Sequence, residues 1–245
     1  MLNDKRILSV ILARKNSKGL PDKNIRKLNG SPLLSWPINA SIRSKYIDTT
    51  VLSTDSIEYA DIGRSFGALT PFLRPDYLAD DKSLSCDAVI HAINFFHDKN
   101  DTYDYVLLLE PTSPLTETSD IDLALEILLD NEKNSSSLVS ISEVLSSHPS
   151  YCFKLNSDNF LIPFESKNNN IEMFRRQDLD KLYYCDGSLY ISKIDDLIKR
   201  KSFYHDQTIS YKVPEWKSFE IDTEFDFFLV EQIMNKYLKS QYEKE

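Results

Sequence analysis

The feature that most constrains this chain is an aliphatic run, Ile7, Leu8, Val10, Ile11 and Leu12, that passes directly into a loop crowded with cations. A near-continuous apolar run with little alternation is how a strand buried on both faces of a parallel sheet reads, so this strand is expected at the sheet centre. The loop carries Arg14, Lys15, Lys18 and Lys23, interleaved with Asn16, Ser17 and Gly19. Glycine lets backbone N–H groups approach an anion, and Lys and Arg heads neutralise it, so the combination suits a polyphosphate. The loop matches neither GxxxxGK[ST] nor GxGxxG, which removes the main support for P-loop hydrolase and dinucleotide oxidoreductase readings. The plainer alternative is a solvated basic loop. Position argues against it, because ligands of open α/β sheets bind outside the carboxyl ends of the strands.

Strands and helices alternate from there. Ser31-Pro32 and LLSWPINASI read as a helix start, with Pro37 implying a kink or a late beginning. Thr49 to Ser53 reads as a strand, Ser56 to Phe66 as a helix stopped by Gly67, and Leu69 to Leu73 as a third strand. Ser83 or Ser85 is expected to cap a helix bearing Ala88, Val89, Ala92, Ile93 and Phe96. Tyr105 to Leu109 is a second strongly buried strand, ended by Glu110-Pro111 and Pro114. Thr118 or Ser119 opens a further helix, followed by the strand SLVSISE. The pattern predicts a three-layer, doubly wound α/β sheet with right-handed crossovers.

Residues 1–145 and 188–245 are expected to form this main domain, and residues 146–187 a β-rich insertion with weak periodicity. Such an arm has little core of its own. It is buried against a second subunit, or it is an ordinary surface excursion of one monomer. Gly187 to Ser192 returns to strand, IDDLIKRKSF is a short helix and SYKVP an edge strand. Thr223 caps the closing helix with Asp226 three residues on. Just before it, Glu220 and Asp222 alternate on an extended segment and point the same way. Together they can hold one hard divalent cation, with phosphate oxygens and water completing its shell; alone they are capping and dipole partners.

A net charge of −9 makes the cationic loop a local device aimed at a small anion, not at nucleic acid. Cys86, Cys152 and Cys185 are scattered without a CxxC and read as reduced thiols of a cytoplasmic chain. No apolar run approaches ~18 residues, so no membrane span is expected. His91 and His97 fall on a helix and His148 precedes a proline, and none suggests a catalytic constellation.

The segment ILARKNSKGLPDKNIRKLNG closely resembles the nucleotide-binding motif of the N-acylneuraminate cytidylyltransferases, the CMP-sialic acid synthetases. The resemblance continues, in the family's order, through VLSTD, FLRPDYLADD, LLLEPTSPL, RRQDL, DGSLYI and EIDTEFD, nearly the whole chain. It implies a GT-A-like, Rossmann-like domain with a dimerisation arm, a homodimer, and Mg²⁺ dependence with Mn²⁺ as a substitute. It also implies attack of a sugar-acid hydroxyl on the α-phosphate of CTP with release of diphosphate. By position, Arg14 and Lys23 would hold the phosphates and the departing diphosphate, with Asn24 beside them. Ala13, Asn16, Ser17 and Arg74 would line the cytidine side, with Ser83 or Ser85 nearby, and Asp222 matches the second carboxylate of the metal motif after Glu220. Arg176 and Tyr190 fall where the family has sugar-side residues.

The chain departs from the family's usual pattern at Glu110 and Asp186, where amides are common, and at Thr116 and Tyr184, where many members carry Arg. An amide can donate a hydrogen bond where an ionised carboxylate only accepts. Three explanations stand: another acceptor sugar, including one with a free amine; a buried acid that stays protonated; or a different correspondence on the sugar side. Two further readings of the chain compete with a cytidylyltransferase. One is a sugar-1-phosphate nucleotidylyltransferase or GT-A glycosyltransferase, although no DxD-like motif follows the central strand. The other is a regulator that binds nucleotide without turnover.

Overall fold

The computed structural model describes residues 4–17, 19–164 and 175–242, with the side chains of residues 176 and 238–242 outside the description. Lys18 and residues 165–174 of the predicted arm therefore lie outside the described residues, as does the Arg176 side chain.

In chain order the elements are β1 (Ile7–Leu12), β2 (Lys27–Leu28), β3 (Ser31–Pro32), α1 (Ser35–Ile42), β4 (Thr49–Ser53), α2 (Ile57–Ser65) and α3 (Ser85–His97). They continue with β5 (Tyr105–Leu109), α4 (Thr118–Asp130), β6 (Ser137–Glu143), β7 (Phe153–Leu155) and β8 (Leu161–Pro163). The chain closes with β9 (Tyr183–Lys193), α5 (Ile194–Arg200), β10 (Thr208–Lys212) and α6 (Glu224–Tyr242).

A six-stranded sheet runs in the order β10-β6-β9-β5-β1-β4. Strand β1 pairs in parallel with both β4 and β5, Val10 standing between Val51 and Leu108, which is the interior position its composition predicts. Strand β9 runs antiparallel to β5 and β6, so the sheet is mixed. It begins at Tyr183, earlier than the Gly187 expected from sequence, and β10 forms the expected edge.

Side chains alternate along β1. Ile7 and Ile11 join Leu52, Leu107 and Leu189 against the apolar faces of α1, α2 and α4. Leu8 and Val10 join Val51, Val106 and Leu108 against α3 and α5 on the other face. The result is the three-layer arrangement. A third cluster joins Leu20, Leu28 and Leu33 near the N-terminus to Ile221, Phe227 and Val230 near the C-terminus, so α6 packs over the loop that follows β1.

Local expectations hold in part. Ser56 accepts the Tyr59 N–H as the cap of α2, and Gly67 follows its end at φ 94°. Thr223 and Asp226 exchange hydrogen bonds at the start of α6 as a capping box. Neither Ser83 nor Ser85 caps α3: its N-cap is Leu84, without a side-chain bond. The two hydroxyls donate elsewhere, Ser83 to the Tyr77 carbonyl and Asp80, Ser85 to Glu110. At α4 the cap is Glu117, paired reciprocally with Asp120, while Thr118 donates to the Ala40 carbonyl. Residues 69–73 are not a strand but make a single bridge, Leu69 to Val51. Pro71 lacks the N–H that would continue a ladder. In the predicted arm, β7 and β8 form a separate two-stranded hairpin.

Candidate functional site

The loop after β1 is fastened at several points. The Ala13 N–H donates to the Ser53 carbonyl at 3.1 Å, so sheet pairing persists to the residue before Arg14. Asn24, itself buried, donates its amide to the Arg14 carbonyl at 2.9 Å and folds the loop back on its own start. The Lys15 N–H meets Asp55 at 2.9 Å, and the Tyr59 hydroxyl donates to Asp22 at 3.2 Å. Asp22 takes the left-handed conformation, at φ 51°, to turn the chain toward Lys23.

Lys23 then reaches across the molecule. Its ammonium donates to the Ile221 carbonyl at 2.8 Å and to Asp222 Oδ1 at 2.9 Å, and its side chain is only 12% exposed. Gly19 allows this closure, because a Cβ there would fall 2.6 Å from the Asp222 carbonyl oxygen. The N-terminal loop and the segment before α6 thus form two sides of one cleft.

The cleft encloses about 510 Å³ and lies beyond the carboxyl ends of β1 and β5. Into it the fold brings Arg14, Lys23 and Arg74 together with Glu110, Glu220 and Asp222. Ser17, Asn24, Ser83 and Ser85 also line it. Asn16 lines an adjoining hollow of about 400 Å³ with Lys15 and Asp22, and Ala13 is buried at the end of β1. Arg14 is paired with Asp81 at 2.9 Å. Arg74 is 94% buried by its 6% exposure, and its Nε and Nη2 have no hydrogen-bond partner among the described residues. Burial pulls its guanidinium pKa down, opposed by Asp55 and reinforced by Arg14. A buried guanidinium with unused donors wants a polar acceptor.

The carboxylates crowd one another. Burial raises the Glu110 pKa, with the Ser85 hydrogen bond and Lys23 opposing the rise and Asp222 adding to it. Although part of Glu220 meets solvent, its carboxyl is pushed up to about 7, first by withdrawal from water and then by the charges of Glu110, Asp222 and Asp186. Glu220 lies directly over Gly187, whose φ is +75°, and a Cβ there would fall 1.5 Å from Glu220 Oε1. Among the described residues no group of three or more His, Cys, Asp or Glu is arranged to hold a metal by itself. Glu220 and Asp222 still offer the hard oxygen donors that a Mg²⁺-class ion takes, at a place with excess negative charge.

Two residues expected on the acceptor side are placed differently. Asp186 is 2% exposed, and its carboxylate accepts from the Ser140 and Ser142 hydroxyls at 2.6 and 2.9 Å and from the Ser188 N–H at 3.0 Å. It does not line the cleft. Tyr190 is half-buried on β9, packed against Phe203 and Tyr204, and burial drives its hydroxyl pKa well up, with Tyr204 and Glu110 contributing. Asp81 was given no role from the sequence, although it closes the segment FLRPDYLADD. Its role beside Arg14 exists only in three dimensions.

Residues 8–239 match the family model described as cytidylyltransferase. A CMP-N,N'-diacetyllegionaminic acid synthase of Legionella pneumophila is 37% identical over 232 residues, covering 94% of this chain and 96% of its own. An N-acylneuraminate cytidylyltransferase of Streptococcus agalactiae is 34% identical over 91% of this chain, which spans 52% of that longer protein. Among solved structures, a CMP:2-keto-3-deoxy-manno-octonic acid synthetase complexed with CTP aligns over 95% of this chain and 99% of its own, with a TM-score of 0.68 at 14% identity. That likeness is one of fold.

Proposed function

The chain belongs to the cytidylyltransferase family, and from that premise we propose that it couples CTP to a nonulosonic acid, giving a CMP-sugar and diphosphate. The observation that carries the proposal is one cleft, beyond the ends of β1 and β5, in which three cations face the carboxylates Glu110, Glu220 and Asp222. A triphosphate needs the cations, and a metal-assisted transfer needs the carboxylates. The relatives named for legionaminic and N-acylneuraminic acids indicate the acceptor class.

In this reading Arg14 and Lys23 hold the phosphates and neutralise the diphosphate as it leaves, with Lys18 in the same loop. Asn24 keeps the loop closed, and Ala13, Asn16, Ser17, Ser83 and Ser85 surround the nucleoside side. Arg74 directs its unused donors at the nucleotide. Glu220 and Asp222 would hold Mg²⁺, or Mn²⁺ in its place. When bound, the ion adds positive charge beside the transferring phosphate. The acceptor hydroxyl attacks the α-phosphorus, the bond to the bridging oxygen breaks, and the hydroxyl proton is lost to water. Such a transfer asks the protein for in-line positioning and charge stabilisation and for little covalent chemistry.

On the acceptor side Glu110 faces the sugar and Arg176 meets its carboxylate, while Tyr190 stands on β9 outside the lining of the cleft. Buried Asp186 acts through its charge on Glu220 and not by contact. The β7–β8 hairpin exposes Leu155, Phe160, Leu161 and Phe164, which supports a second copy of the chain as its partner. No described helix is long and apolar enough to cross a membrane.

The test is diphosphate release from CTP and Mg²⁺ with N-acetylneuraminate, diacetyllegionaminate, pseudaminate, 2-keto-3-deoxy-manno-octonate and non-carboxylated sugars. Turnover with a nonulosonate, and none with the non-carboxylated sugars, is the expected result. CTP binding without turnover on any acceptor would leave the nucleotide half of the reading and remove the acceptor half.

A further inference from the structure

Asp186 is a buried carboxylate that has hydrogen-bond donors around it but no counter-ion. Its oxygens accept from the Ser140 and Ser142 hydroxyls and from the Ser188 N–H. Three donors around an acid is the setting of the ionised form, which can only accept. Among the described residues no lysine or arginine pairs with it. Buried charges are ordinarily paired or placed around a metal, so this one leaves a positive partner to be found.

The fold points to where that partner belongs. Ser140 also accepts the Leu189 N–H at 3.0 Å, so the serines of β6 pin β9 on both sides of Gly187, close to the register shift between the two strands. Glu220 fills the space left by the missing side chain of Gly187, because a Cβ there would fall 1.5 Å from its Oε1. The Glu220 carboxyl therefore lies against the residue next to Asp186, while Asp186 itself stays outside the lining of the cleft. Glu110 and Asp222 share the cleft with Glu220, and Lys23, already paired with Asp222 at 2.9 Å, opposes their crowding. Withdrawal from water, and then the charges of Glu110, Asp222 and Asp186, raise the Glu220 carboxyl to about 7, which records the negative field at that place.

We infer that Asp186 is an outer carboxylate of the cation site: it touches neither ion nor sugar, and its fixed charge strengthens the hold of Glu220 and Asp222 on a divalent cation. The inference rests on the reading of Glu220 and Asp222 as the metal-holding pair, and it assigns Asp186 to the metal side of the cleft. Asp186 attracts the ion through the Gly187 backbone, and burial keeps that attraction from being screened by solvent salt. Removing the charge while keeping the side-chain shape therefore weakens cation binding and leaves the fold intact.

The experiment is a Mn²⁺ titration of the full chain, followed by water-proton relaxation at a pH above the Glu220 value, for the unaltered protein, Asp186→Asn, Ser142→Ala and Asp222→Asn. Asparagine can be satisfied in place: its oxygen accepts from Ser140 and Ser188, and its amide donates to a Ser142 hydroxyl turned to accept. Asp186→Asn should weaken Mn²⁺ by roughly tenfold, the low end of what outer-shell partners contribute, with an unchanged urea midpoint. Ser142→Ala removes a hydrogen bond and keeps the charge, so its Mn²⁺ affinity should stay near the unaltered value. In steady state the Mg²⁺ needed for half-maximal diphosphate release should rise in Asp186→Asn while the KM for the acceptor holds. Unchanged Mn²⁺ affinity in Asp186→Asn overturns the inference. So does an equal loss in Ser142→Ala, because Asp186 would then act through shape alone. Mn²⁺ bound by Asp222→Asn as tightly as by the unaltered protein, or by neither, would overturn the metal reading of Glu220 and Asp222, and this inference with it.

Discussion

Lys23 has two fixed partners, the Ile221 carbonyl and Asp222, and little contact with bulk water. If the cleft takes the polyphosphate proposed for it, a cation held so firmly contributes charge already in place, with no rearrangement needed at the moment of transfer. Lys23→Ala should therefore keep the fold and lower diphosphate release by at least about a hundredfold. A rate near normal in a variant with unchanged circular dichroism would remove Lys23 from the chemistry. At this scale the sequence was most legible where the candidate residues share one short segment: Arg14, Lys23 and Asn24 lie in a single loop, and the fold brings them to one cleft. The placement of Glu220 and Asp222 in that same cleft was legible too, through alternation on an extended segment. Asp186 was not. Its strand contains Gly187 at positive φ and pairs with β6 through a register shift between Val139 and Ile141. The acceptor-side place of Asp186 rested on the resemblance alone, and at this irregularity Asp186 turns into a pocket of serine hydroxyls.

Among the elements, α4 shows how a helix start becomes part of the core. Its first-turn Asp120 is 4% exposed, accepts the Tyr211 hydroxyl from β10 at 2.7 Å and pairs with the buried Lys217 at 2.5 Å. Lys217 also meets Glu117, the cap of the same helix, at 2.7 Å. Removing the ammonium strands a buried carboxylate, which typically costs about 3–5 kcal/mol. Lys217→Met should lower the urea midpoint accordingly with an unchanged slope, and a midpoint like that of the unaltered protein would show the network to be dispensable. Sequence found α4 but not this partner, which arrives from nearly a hundred residues away. Strands β1 and β5 were readable because burial on both faces writes itself as an unbroken apolar run. The segment after Gly67 was misjudged because its Leu69 and Leu73 imitate a strand, whereas both are half exposed and Pro71 interrupts pairing.

At the scale of the whole molecule, the β7–β8 hairpin carries apolar side chains outward from the main sheet, Phe160 at 68% exposure and Phe164 at 57%. Sedimentation of the purified chain should give a species of two copies, and Phe160→Glu with Phe164→Glu should shift it to one. A single-copy mass for the unaltered protein would mean that the hairpin does not pair copies of this chain. The cleft, for its part, draws Lys23 and Asp222 together across 199 positions, and the third apolar cluster binds the same two regions. A chain emerging from the ribosome can therefore complete β1, α1 and β4 and still have no site. Lys23 gains its partners Ile221 and Asp222 only when the segment before α6 is in place and α6 packs over Leu20 and Leu28. The cleft therefore has both of its sides only once the segment before α6 has joined the loop after β1.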